Sequence, residues 1–323
     1  MTENNEYAVE CEGLGRVYRS RSLLGQSRET VALQDLNLQI PKGTVFGVLG
    51  PNGAGKTTTI RILSTLLSAT TGTARVLGYD VVKEGREVRK NIGIILGGDR
   101  GFYGRLTGKE NLRYFAALNH IKPRDTDRII DDSLAQAGLA DQQKTLVEQY
   151  SRGMKQRLHV ARGLLTDPGV VFMDEPTLGL DPLGAQELRQ RIPALVGQGK
   201  TVLLTTHYMF EADSLCSRIA IINKGKLVAL GTPAEIKRNF SSIGVIELTL
   251  NQTRPSLQEE LTGLDGVKRA TTSADGVYQK LTVHVVAGAD LSDKIAEVVG
   301  KDHIENMVAR DPTLEEAYLE IID

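Results

Sequence analysis

Val45-Phe46-Gly47-Val48-Leu49, then Gly50-Pro51-Asn52-Gly53-Ala54-Gly55-Lys56-Thr57-Thr58, then Thr59-Ile60-Arg61-Ile62-Leu63 is the stretch whose reading decides the fold. The apolar run predicts a buried strand, the glycines a tight turn, and the last segment the opening turns of a helix. The middle fits G-x-x-x-x-G-K-[ST] in the strand–loop–helix setting that separates a phosphate loop from a chance match. Gly50, Gly53 and Gly55 let the backbone curl so that successive N–H groups point inward at phosphate oxygens. Pro51, Asn52 and Ala54 complete the loop, and the helix opening at Lys56 adds its positive dipole end. Lys56 is placed to reach the β- and γ-phosphates, and the Thr57 hydroxyl to ligate Mg²⁺. A glycine-rich turn with an exposed lysine is the bland alternative. The agreement of every position and both flanks outweighs it.

The bulk numbers set limits around that site. At 323 residues the chain exceeds what one core usually supports, so two domains are expected. A formal net charge of -1 removes the electrostatic case for nucleic acid as a main partner. The start, Met1-Thr2-Glu3-Asn4-Asn5-Glu6, is polar and acidic rather than a signal peptide. No apolar stretch approaches the roughly 20 residues needed to cross a bilayer. Cys11 and Cys216 lack metal-ligand spacing and read as packing residues in a reducing compartment. A soluble, cytosolic chain is expected, unless a partner holds it at a membrane.

Upstream of the loop, residues 7–12 and 31–40 read as strands, and polar Arg19–Thr30 as a surface loop. Tyr18, at the start of that loop, reads by itself as a half-buried strand aromatic. Downstream, Asn91–Leu96 reads as a buried strand, with a glycine-rich bend over Gly97–Gly101, and residues 107–165 as mostly helical. Thr107-Gly108-Lys109-Glu110 has the form of a capping box, followed by Leu112, Phe115, Ala116 and Asn119 at helix spacing. Ser151 reads as an N-cap for the helix running to Leu165, which leaves free N–H groups and positive potential at that end. An anion site and a plain capped helix fit it equally.

Gly169–Pro176 is an apolar strand ending in two carboxylates, Asp174 and Glu175, and acids at such a place need a partner. Beside a phosphate loop that partner is Mg²⁺, with Asp174 supporting the metal and Glu175 polarising an attacking water. Thr201–Thr206 is a further strand, with His207 at its end. In open α/β sheets ligands bind at the carboxyl ends of strands, which favours a catalytic or γ-phosphate contact for His207 over a structural role. Asn223-Lys224-Gly225-Lys226 reads as a hairpin turn; a guanine-specificity motif would need Asp where Lys226 stands. From about Asn239 the pattern becomes strand, helix, strand, strand, helix, strand. It suggests a small ferredoxin-like α+β unit with an added helix and no catalytic cluster.

Taken in order, these segments resemble the ATP-binding subunit of an ABC transporter over roughly residues 7–235. Gly50–Thr58 is similar to Walker A, Tyr150-Ser151-Arg152-Gly153-Met154-Lys155-Gln156 to the ABC signature, and Val170–Glu175 to Walker B. Leu178-Gly179-Leu180-Asp181 resembles the D-loop, His207 the switch histidine, and Tyr18 the aromatic that stacks on adenine. Tyr150 and Arg152 depart from the common Leu-Ser-Gly-Gly form. The Gln usual after the Ile92–Leu96 strand is missing: its place falls on Gly97 or Gly98, with Asp99 or the Arg100–Leu106 backbone as substitutes. Asp311-Pro312-Thr313-Leu314-Glu315-Glu316-Ala317-Tyr318-Leu319 is similar to the ending of ABC-2-type exporter ATPases of the daunorubicin-resistance kind.

The resemblance implies an α/β phosphate-loop ATPase core over 1–238, with a helical subdomain over about 98–165 and an accessory or regulatory domain over 239–323. It implies ATP and Mg²⁺ as cofactors, with Thr57 and Asp174 at the metal, and two copies sandwiching ATP. In each site Ser151, Arg152, Gly153 and Met154 would serve the ATP of the other copy, and Asp181 would link the sites. Glu175 and His207 would be catalytic. A separately encoded integral-membrane permease would hold the chain at the inner face of the membrane, and the C-terminal ending favours export. Soluble members of the family that act on ribosomes or DNA are the alternative. Against them stand a single ATPase unit, no long coiled-coil insert and the near-neutral charge.

Overall fold

The computed structural model describes residues 6–21, 27–96, 101–240, 243–275, 278–286, 289 and 291–322. The chain divides into two compact units, Met1–Leu230 and Gly231–Asp323. The first holds β1 (Tyr7–Arg21), β2 (Ser27–Pro41), β3 (Val45–Leu49), α1 (Lys56–Leu63), β4 (Thr71–Val76), β5 (Tyr79–Asp80) and α2 (Gly85–Lys90). It continues with β6 (Ile92–Leu96), α3 (Gly108–Leu118), α4 (Pro123–Gln136), α5 (Arg152–Leu164), β7 (Val170–Asp174) and α6 (Pro182–Gly197). β8 (Thr201–Thr206), α7 (Met209–Leu215), β9 (Arg218–Asn223) and β10 (Lys226–Gly231) close it.

Six strands form one sheet in the order β10-β9-β3-β8-β7-β6, in which β9, β3, β8, β7 and β6 run parallel. β3 is buried at every position and β7 along Val170–Met173, as expected where both faces are covered. A second, antiparallel sheet has the order β2-β1-β4-β5. Its apolar face joins Leu14, Leu36, Leu38 and Ile40 to Phe46, Ile60 and Phe172 in one core.

Within Arg19–Thr30, expected as a loop, the described residues 19–21 and 27–30 are strand instead, because β1 and β2 pair from Tyr7↔Pro41 out to Arg21↔Ser27. Arg19 and Glu29 form an exposed cross-strand ion pair at 2.8 Å. A two-stranded ribbon with no buried face carries no apolar alternation, so its residues read as polar loop.

The expected helices are present as α3, α4 and α5, with Thr107 and Glu110 closing the capping box reciprocally. α5 lies close on β6 because two glycines meet. A Cβ on Gly93 would stand 2.3 Å from the Gly163 carbonyl oxygen.

The second unit comprises α8 (Pro233–Phe240), β11 (Ile243–Leu250), α9 (Leu257–Thr262), β12 (Val267–Asp275), β13 (Tyr278–Val286), α10 (Ser292–Val299), β14 (Ile304–Arg310) and α11 (Leu314–Ile322). Its sheet runs β12-β13-β11-β14 with every pair antiparallel, the ferredoxin-like order. Leu257, Leu261, Ile295 and Val299 of α9 and α10 pack on Ile246, Leu248, Leu281 and Val283. The expected boundary after residue 238 falls inside α8, which packs on α11 and so belongs to the second unit. The exporter-like ending builds the start of α11. Thr313 and Glu316 cap that helix reciprocally, and Arg310 holds the Glu316 carboxylate through two N–H donors at 2.9 and 3.0 Å.

Candidate nucleotide site

Three neighbouring parallel strands end together. Leu49 pairs with Thr206 and Asp174 with Thr205, so Gly50, Glu175 and His207 emerge side by side at the carboxyl edge of the sheet. Gly50, Gly53 and Gly55 have φ of 156°, 82° and 115°, conformations that disfavour any side chain, and they wrap the chain around the end of α1.

Lys56 is buried within that wrap. Its ammonium donates to the carbonyl oxygens of Gly50 at 2.7 Å and Pro51 at 3.2 Å, and stands 3.7 Å from the Glu175 carboxylate. Burial lowers its pKa, against the pull of the Glu175 and Asp174 charges. The ammonium therefore keeps its charge only among acceptors and acids, an arrangement that also suits phosphate.

The Thr57 hydroxyl donates to Asp174 Oδ1 at 3.1 Å, and the Thr205 hydroxyl donates to the same oxygen at 2.6 Å. A hydroxyl and a carboxylate oxygen converging in this way form the hard-oxygen set that Mg²⁺ takes. Glu175 follows at φ 48°, held by its N–H donating to the Thr205 carbonyl at 3.0 Å and hydroxyl at 3.1 Å. That bend turns Glu175 away from Asp174 and toward Lys56 and His207. His207 Nδ1 lies 3.4 Å from Glu175 Oε2, and the Tyr208 ring stacks on the imidazole with centroids 4.2 Å apart.

Tyr18 is half-buried with its hydroxyl 3.5 Å from the Thr58 hydroxyl, so it borders the phosphate loop, and the Arg16 guanidinium lies 4.8 Å over its ring. Ser151–Met154 and Asp181 form a second cluster. Ser151 caps α5 by accepting the Met154 N–H at 3.1 Å, and Asp181 caps α6 by accepting the Gly184 N–H at 2.9 Å. The two helix starts touch: a Cβ on Gly153 would lie 3.8 Å from Gly184 Cα, and one on Gly179 would lie 2.4 Å from the Arg152 guanidinium. The place of the missing Gln at Gly97 or Gly98, its substitute Asp99 and the first residue of the alternative Arg100–Leu106 backbone lie outside the described residues, whereas residues 101–106 are described.

Sequence reasoning missed the supports. Thr205 bonds Asp174 and the Glu175 N–H, Thr206 accepts the Tyr208 N–H beside His207, and Glu211 in turn holds Thr206 and is held by Arg189. The signal to be read was two threonines at the end of a strand otherwise apolar from Val202 to Leu204, since buried hydroxyls need partners. Cys11 and Cys216 are free and buried.

Lysine, threonine, two carboxylates and a histidine at the carboxyl ends of adjacent parallel strands define a phosphate-loop nucleotide hydrolase. The ABC transporter family model matches residues 33–178. The daunorubicin resistance ATP-binding protein DrrA3 of Streptomyces coeruleorubidus is 39% identical over 90% of this chain and 90% of its own length. A fluoroquinolones export ATP-binding protein of Mycobacterium tuberculosis is 34% identical over 90% of this chain and 87% of its own. Among solved structures, cbiO1 from Clostridium perfringens, part of the ABC transporter complex cbiONQ, matches with TM-score 0.63 and 26% identity, over 72% of this chain and 90% of that one. The chain belongs to the ATP-hydrolysing, ATP-binding proteins of ABC transporters, as the resemblance in its motifs implied.

Proposed function

We propose that two copies of this chain close around two ATP molecules and so drive a separately encoded membrane permease that exports a drug-like small molecule. The observation that carries the hydrolytic part is the convergence of Lys56, Thr57, Asp174, Glu175 and His207 at one sheet edge. The relatives named for daunorubicin resistance and fluoroquinolone export support the direction and the class of cargo. A lipid or polysaccharide cargo is the wider alternative.

Thr57 and Asp174 would hold Mg²⁺, which neutralises charge on the phosphates when bound. The loop N–H groups from Gly50 to Thr58 and the Lys56 ammonium bind the triphosphate, and Tyr18 stacks on the adenine. Glu175 orients a water for in-line attack, and His207 holds the γ-phosphate. Ser151–Met154, at the start of α5, meets the γ-phosphate bound by the other copy, and Asp181 links the two sites. Closure on ATP and reopening after hydrolysis give the two states a permease needs.

Among the described residues no helix is long and apolar enough to cross a membrane. Docking on the permease at the inner face of the membrane is assigned to the region of α3. Tyr103 (51% exposed), Tyr114 (43%) and Leu118 (57%) stand out of it, with Tyr103 and Tyr114 edge-to-face at 5.2 Å. The second unit serves assembly or regulation.

Glu175→Gln tests the proposal. The variant binds ATP, loses turnover and accumulates as a dimer, and a tagged form pulled from detergent-solubilised host membranes with ATP brings a polytopic protein with it. Unchanged hydrolysis removes Glu175 from the chemistry. Recovery only with ribosomes or nucleic acid sinks the transport reading.

A further inference from the structure

We propose that the buried carboxylate of Glu211 positions His207 for hydrolysis, acting through the Thr206 hydroxyl. This rests on the reading of His207 as the γ-phosphate contact. Glu211 is 2% exposed, far from ordinary for an acid, and sits in the first turn of α7. It accepts from the Thr206 hydroxyl at 2.8 Å and from the Arg189 guanidinium at 3.3 Å.

A hydroxyl has one proton. With that proton given to Glu211, the oxygen of Thr206 turns its lone pairs elsewhere, and it accepts the Tyr208 N–H at 3.0 Å. One hydrogen bond therefore spans His207 from the residue before it to the residue after it. The backbone carrying the imidazole is closed into a turn whose direction is set by a buried charge. The imidazole so held has Glu175 at 3.4 Å and Tyr208 stacked on it at 4.2 Å.

Arg189 makes the carboxylate tolerable and gives it a second anchor. It stands on α6, the helix capped by Asp181, and its guanidinium lies 5.6 Å from the Phe210 ring on α7. The start of α7 is thereby clipped to α6 on one side and to the end of β8 on the other. An apolar side chain would fill this place at lower electrostatic cost, so what the carboxylate adds is a fixed acceptor for one hydroxyl. Glu211 and Thr206 touch no reacting atom and are positioning residues.

Steady-state ATP hydrolysis by the full-length chain tests this with a double-mutant cycle. Thr206→Val removes the hydroxyl at nearly constant volume, and kcat is expected to fall about 10- to 100-fold, the range of a hydrogen bond to a charged group, with KM for ATP within about threefold. Thr206→Ser restores the hydroxyl and the rate. Glu211→Gln keeps an acceptor but loses the ionic partner of Arg189, and lowers kcat less. In a His207→Ala background, Thr206→Val changes kcat by less than about twofold. Wild-type kcat in Thr206→Val, or an equal loss with and without His207, overturns the proposal. Full kcat in His207→Ala alone overturns the reading of the histidine itself, and is seen before Thr206 is touched.

Discussion

Replacing Glu316 by Gln keeps the shape of the side chain and removes one charge from the clamp that starts α11. The carboxylate accepts from Arg310 at 2.9 and 3.0 Å and from the Thr313 N–H and hydroxyl at 2.6 and 3.0 Å, with His284 at 3.2 Å. Burial alone would raise its pKa; the Arg310 bonds and those from Thr313 outweigh it and hold the group at about 2 against an ordinary 4.5. At about 1.4 kcal/mol per pH unit that difference amounts to about 3 kcal/mol, and we take about 2 because the side chain keeps some contact with water. The folded-state pKa is depressed, so the stabilisation is complete above the unfolded carboxylate range and is lost as the pH falls through about 2. Amide hydrogen exchange of residues 304–322, read by mass spectrometry, reports the local opening. At pH 6, Glu316→Gln is expected to lower protection about 30-fold, and the gap to wild type narrows steadily below about pH 4.5. Equal protection at pH 6, or a gap that does not shrink in acid, refutes the clamp.

Three further outcomes are expected. Lys56→Ala raises the Kd for a fluorescent ATP analogue at least about tenfold, since a charge-assisted bond to phosphate is lost; wild-type affinity would count against the loop assignment. Gly93→Ala drives a Cβ to 2.3 Å from the Gly163 carbonyl oxygen, a backbone atom that cannot swing away. It costs about 3 kcal/mol and lowers the thermal midpoint by about 6–12 °C, and an unchanged midpoint refutes the close approach of α5 to β6. Burial first, and then the neighbouring Glu10 or Glu211 charge, pushes the Cys11 and Cys216 thiols up to about 12. A thiol reagent at about pH 8 therefore labels both only in denaturant, and labelling of the folded chain refutes their burial.

The nucleotide site was legible because it is mostly local. Gly50–Thr58 carries its own strand, turn and helix start, and Asp174–Glu175 and His207 mark strand ends by ending apolar runs. The hairpin turn at Lys224-Gly225 and the strand and helix order of the second unit were readable for the same reason, since alternation and turn residues act over a few positions. The β1–β2 ribbon was not. Its pairing of Arg19 with Glu29 lies ten residues apart, and neither strand buries a face there to mark it.

By itself the sequence determined which residues are proposed to meet phosphate and metal, because the strand, turn and helix start that present them are local. Only the tertiary structure decided how they are aimed. The register Asp174↔Thr205 puts one threonine hydroxyl between the Asp174 carboxylate and the Glu175 N–H, and the packing of α6 on α7 brings Arg189 to Glu211. The exporter-like ending likewise proved to be a clamp between Arg310 and Glu316 that only folding assembles. Such contacts join residues far apart in the chain through directional bonds in a buried place. No local pattern encodes their partners, and their strength exists only once water is excluded.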